Sequence, residues 1–121
     1  MVPDCLTKAY ELIAALGEAE ALKESLLSHP QGIKFSDEID YLESQIADLN
    51  RQAAKNAKQT NKVLSLLRKR NSRAYTAAKM HFVMGYKWDV VSEILDIDYE
   101  VIRARVYRSL NELYSQGLIE R

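Results

Sequence analysis

The stretch Lys87-Trp88-Asp89-Val90-Val91-Ser92-Glu93-Ile94-Leu95-Asp96-Ile97-Asp98-Tyr99-Glu100-Val101-Ile102-Arg103-Ala104-Arg105-Val106-Tyr107-Arg108-Ser109-Leu110 decides the fold. Trp88 to Leu95 predict a short helix with Val91 and Leu95 on one face. Tyr99 to about Gln116 predict a second helix, closed by Gly117. Asp96-Ile97-Asp98 is too short for anything but a tight turn. Such a turn needs one residue in the left-handed region, normally Gly, and Asp is among the few substitutes that tolerate it. Asp96 stands at that place. Ser92 is small enough for the two helices to approach, Ile97 plugs the turn, and Asp98 supplies an N-cap to the helix that follows.

At 100° per residue, Ile102, Val106, Ser109, Leu110 and Leu113 share one face of that helix, and Glu100, Arg103, Ala104, Tyr107 and Asn111 share the opposite one. A helix entering the major groove of a duplex needs this second kind of face, with hydrogen-bonding groups near its start and cations beside them for phosphates. Arg103 is the candidate for a guanine edge and Ala104 for a thymine methyl. Glu100 suits a helix start or a cytosine amine. Tyr99 and Tyr107 complete the base-reading candidates, with Tyr107 also placed to reach a phosphate or sugar. The phosphate candidates are Lys87, Arg105 and Arg108, together with Arg68, Lys69, Arg70 and Arg73 from the basic run upstream. A basic outer face is also compatible with plain solvation, and then the helices would only pack.

Working outward, the run Arg68-Lys69-Arg70-Asn71-Ser72-Arg73 marks a boundary, with Ser72 as cap of a new helix. Tyr75, Ala78 and Phe82 predict that helix, ending near Gly85. Upstream, Ile39, Leu42, Ile46, Leu49, Ala53, Asn56, Thr60, Val63 and Leu67 alternate in steps of three and four. This is a heptad seam with a soft polar centre. Ser36 is its expected N-cap, and Asp37, Glu38 and Asp40 suit the helix dipole. A first helix opens at Pro3-Asp4 and carries Leu6, Ala9, Tyr10, Ile13, Leu16, Ala19, Leu22 and Leu26. It ends within Ser28-His29-Pro30-Gln31-Gly32. The seam packs either on the first helix within one chain or on a second chain. In the second case Ile39, Leu42, Ile46, Leu49, Val63 and Leu67 are the oligomerisation candidates. The expected architecture is all-α: residues 1–70 form a helical hairpin or coiled coil that pairs chains, and residues 71–121 form a small helix-turn-helix domain.

Composition narrows the function. The 121 residues have a formal net charge of +0 and only four Gly and two Pro. The charge is split: residues 1–50 hold three bases against ten acids, and residues 51–121 hold fourteen bases against seven acids. One half is therefore suited to meet an anion. Cys5 is the sole cysteine, so no internal disulfide or cysteine-rich zinc site is expected. No Gly-rich phosphate loop, nucleophile elbow or paired-histidine metal motif occurs. His29 suits a helix end and His81 a partly packed helix surface. The expectation is a non-enzyme with no metal, no cofactor and no small-molecule substrate. No signal-like or membrane-spanning segment stands out, which points to a cytoplasmic protein without membrane contact.

Residues 87–110 resemble the helix-turn-helix of sigma-factor region four, where a Gly-hydrophobic-Ser turn precedes a recognition helix ending in an Arg-Ala-Leu-like triplet. Arg108-Ser109-Leu110 is similar to that triplet, while Asp96 and Asp98 replace the family's Gly and Ser. The whole chain, including His29-Pro30-Gln31-Gly32-Ile33-Lys34-Phe35-Ser36-Asp37, resembles the phage ArpU-like and RinA-like transcriptional regulators of Gram-positive hosts. That resemblance implies sequence-specific binding of double-stranded DNA upstream of late phage genes, activation of host RNA polymerase, and residence in the host cytoplasm. A homodimer is expected, because one small module holds its site weakly. Two other readings stay open: a phage small terminase subunit, although there the DNA module usually comes first, and a protein-binding adaptor or inhibitor that uses the acidic half. A full sigma factor is excluded by length.

Overall fold

A computed structural model describes residues 2–30 and 32–120. Met1, Gln31 and Arg121 lie outside the described residues, so the expected helix end is followed through Ser28, His29 and Pro30 alone. The protein is all-α, with no strand among the described residues. Its helices are α1 (Asp4–Ser28), α2 (Ser36–Arg70), α3 (Ser72–Ala78), α4 (Trp88–Leu95) and α5 (Tyr99–Ser115), with a 3-10 turn at Gly32–Phe35 and a π turn at Lys79–Val83. No described helix is long and apolar enough to cross a membrane.

Two compact units divide the chain, Met1–Tyr10 with Asn56–Arg121, and Glu11–Lys55. The division therefore falls at 10/11 and 55/56, not at 70/71. The cause is apolar. Val63, Leu64 and Leu67 from the end of α2, and Cys5 and Leu6 from the start of α1, share one core with Ala74, Ala77, Ala78, Phe82, Trp88, Val91, Ile102, Val106, Leu110 and Leu113. Leu67, Val91, Ile102 and Leu110 are fully buried, and burying side chains of this size typically stabilises a fold by ~1.5–3 kcal/mol each. Val63 and Leu67 were oligomerisation candidates. Both are covered within the chain and offer no face to a second one.

Local polar chemistry fixes the joints of this unit. Asn56 Nδ2 and Thr60 Oγ1 both donate to the Cys5 carbonyl, at 2.9 and 3.1 Å. The soft centre of the heptad seam thus ties the beginning of α1 to α2. Asn71, not Ser72, caps α3: its extended backbone lets Oδ1 accept from the N–H groups of Arg73 and Ala74, both at 3.1 Å. Beyond α3 the helix widens by one residue, with the Met84 N–H donating to the Lys79 carbonyl at 3.1 Å. It stops at Gly85, whose φ of +78° is left-handed. A Cβ at Gly85 would stand 2.5 Å from the Tyr10 ring.

The second unit is a two-helix hairpin built from residues 11–28 and 36–55. Its chain enters α2 through the 3-10 turn, and Ser36 is already helical. Leu42 and Ala19 are buried. Ile39, Ile46 and Leu49 are half-buried beside them. An ion pair from Lys23 Nζ to Glu43 Oε1 at 3.3 Å links the two arms. Ile13, Leu22, Leu27 and Tyr41 remain exposed.

Candidate nucleic-acid interface

The turn that sets α4 against α5 is made as its residues dictate. Asp96 has φ 52° and ψ 46°, the only non-Gly residue with positive φ among those described. The Ile97 N–H donates to the Ser92 carbonyl at 3.2 Å, and Ser92 Oγ donates back to the Ile97 carbonyl at 2.5 Å. Ser92 is therefore a clasp across the turn as well as a small residue for close approach. Asp98 Oδ1 accepts the Glu100 N–H at 3.0 Å, the expected N-cap. Ile97 is half-buried in the turn against the core.

With α5 fixed this way, its two faces separate as the periodicity predicts. Ile102, Val106, Ser109, Leu110 and Leu113 are buried. Tyr99, Glu100, Arg103, Ala104, Arg108 and Asn111 are exposed, and Arg105 and Tyr107 are half-exposed. Ala104, Tyr107, Arg108 and Asn111 line a shallow, open depression that continues to Ser115. A small residue flanked by cations leaves room for another molecule's backbone or base edge to come close.

Aromatic packing orders this face, and periodicity alone did not reveal it. The His81 ring stacks on Trp88 at 4.1 Å, with 18° between planes. Trp88 lies 6.3 Å from Tyr107. The Arg103 guanidinium sits over the Tyr107 ring, 5.5 Å from its centroid. A cation over an aromatic face is held by the ring quadrupole, so Arg103 has a platform and Tyr107 acts chiefly as its support. The signal was present in the spacing, since residues four apart on a helix meet. His81 Nδ1 lies 2.7 Å from the Tyr86 carbonyl. Burial lowers the His81 pKa below the ordinary imidazole range, the Tyr86 carbonyl opposes that shift, and the Arg103 charge adds to it.

The remaining phosphate candidates divide. Lys87, Arg68, Lys69 and Arg73 are exposed, with Arg68 lying 5.7 Å over the Tyr75 ring. Arg70 differs: Nη1 pairs with Glu112 Oε2 at 2.9 Å, and Nη2 donates to Gln116 Oε1. Its charge is matched by the protein and fastens α2 to the end of α5, so it is withdrawn as a free phosphate contact. The structure brings Arg103, Ala104, Tyr107 and Arg108 together on the outer side of α5. Among the described residues, no group of three or more His, Cys, Asp and Glu is placed to hold a metal. Burial raises the Cys5 thiol pKa above its usual value. No family model, curated protein or solved structure matches the chain.

Proposed function

We propose that α4 and α5 act as a helix-turn-helix that reads double-stranded DNA, with α5 in the major groove, in a sequence-specific transcriptional regulator. The observation that carries this reading is the division of α5. Its inner face is buried, while its outer face holds Arg103, Ala104 and Arg108 exposed beside a left-handed turn that fixes the helix. Arg103 forks onto a base edge from its Tyr107 platform, Ala104 permits close approach, and Arg105, Arg108, Lys87, Arg68, Lys69 and Arg73 meet phosphates.

The resemblance of the whole chain to phage ArpU-like and RinA-like regulators supports a further step, activation of late phage genes with host RNA polymerase in the bacterial cytoplasm. Two copies acting on two half-sites supply the affinity that one module lacks. The test is selection of bound sequences from a random duplex pool. Enrichment of a defined site, lost on Arg103→Ala, supports the reading. Recovery of unenriched duplex would contradict it.

A further inference from the structure

His81 stands at the far end of the ring series that carries Arg103. The π turn at Lys79–Val83 holds it, and such single-turn insertions occur mostly at functional sites. One face of its ring lies on Trp88 at 4.1 Å, and Trp88 in turn neighbours Tyr107, the platform of Arg103. All four residues belong to one compact unit, and the Arg103 charge reaches the imidazole. His81 therefore borders the outer face of α5.

The ring has a fixed orientation. Nδ1 lies 2.7 Å from the Tyr86 carbonyl, which can only accept, so Nδ1 carries a hydrogen. In the neutral ring Nε2 then carries the lone pair. Nε2 has no hydrogen-bond partner among the described residues and is not enclosed by the fold. A phosphate oxygen also only accepts, so neutral Nε2 has nothing to offer it. Protonated, the same atom gains an N–H, the ring gains a positive charge, and the pair makes a charge-assisted donor. Resting on the DNA reading above, we propose that His81 is a further phosphate contact, made through Nε2 of the protonated ring, so that the duplex and one proton bind together.

The surroundings make this contact conditional. Burial against Trp88 and Phe82 opposes the imidazolium, and Arg103 of α5 repels it. The Tyr86 carbonyl favours it. Lys79 on the π turn, and Lys87 and Asp89 at the start of α4, are exposed, as is Glu100 on the outer face of α5. Tyr75 of α3, Tyr107 of α5 and Tyr10 beside Gly85 supply phenol groups rather than charges. Without DNA the neutral ring is thus favoured. A phosphate brings an anion that reverses the balance. A proton taken up on binding makes affinity rise as pH falls.

The chain has two histidines, so the imidazole signals of the full chain can be followed by NMR against pH, with His29→Gln identifying that of His81. Bound duplex should raise the His81 titration midpoint by about one pH unit. Binding of labelled duplex at one salt concentration should tighten about tenfold between about pH 8 and 6. The gain should be equal on a selected and a random duplex, because phosphates carry no sequence. His81→Gln should abolish the gain and match the unmodified chain at about pH 8. His81→Arg, whose planar cation can stack on Trp88, should bind at the higher pH as tightly as the unmodified chain does at the lower one. A His81 midpoint that the duplex leaves unchanged or lowers, or a pH gain that survives His81→Gln, overturns the proposal. Selective duplex binding alongside that result leaves the DNA reading standing, whereas absence of duplex binding at every pH overturns both.

Discussion

The two units use the same amphipathic principle with opposite completeness. The unit that joins the start of α1 and the end of α2 to α3, α4 and α5 encloses its apolar side chains on several sides, with Leu67, Ile102 and Leu110 fully buried. The hairpin unit has two arms only, and it leaves Ile13, Leu22, Leu27 and Tyr41 in solvent. Two helices can cover one seam but not a core. The contrast assigns stability to the first unit and an unfinished surface to the second.

The strongest way to break this comparison is to truncate one leucine in each. Leu110→Ala should cost about 2–5 kcal/mol, the range for a buried leucine. Leu22→Ala should stay within ~0.5 kcal/mol in dilute solution, as an exposed substitution does. Urea unfolding measures both, and similar costs would erase the distinction.

A smaller effect sharpens the account of how the first unit is jointed. Gly85→Ala meets both a left-handed φ and the Tyr10 ring, so it should destabilise by more than about 1 kcal/mol. Asp96→Gly should do the opposite, gaining up to ~1 kcal/mol by relieving the left-handed strain. The two substitutions have opposite signs because one removes a permissive residue and the other supplies it. Thermal midpoints read both.

The smallest expected effect concerns His81, against Trp88 in the first unit. Its folded-state pKa is lowered, chiefly by burial. The unfolded chain therefore takes up the proton more readily than the folded one. This contribution to stability is complete above the ordinary imidazole pKa of about 6.5 and is lost as pH falls below it. His81→Gln should flatten the fall in denaturation midpoint between about pH 7.5 and 5.5. An unchanged slope would remove His81 as its source.

Much of this architecture was legible in the residues. Helix boundaries at Trp88, Leu95 and Tyr99, the left-handed Asp96 and the Asp98 cap follow from short-range backbone chemistry, which a sequence carries directly. The two faces of α5 follow from its period. What the sequence concealed was long-range. Leu67 continues the heptad seam without a break, and nothing in the step of three and four says that its last turns change partner. Arg70 reads as one cation in a run of three, yet Glu112 and Gln116, far along the chain, engage it. Asn56 and Thr60 read as weak points, whereas both are satisfied by one carbonyl of α1. The Tyr107 platform under Arg103 lay between these cases. Its spacing was visible, but its anchoring by Trp88 and His81 required the fold.

The central claim, that the outer face of α5 reads base edges, is tested most directly by Arg103→Ala on a selected duplex and on random duplex at one salt concentration. The account predicts a loss of about 1–3 kcal/mol on the selected site, with relaxed preference at one base position and little change on random duplex. Equal loss on both would contradict it and leave Arg103 as a phosphate contact.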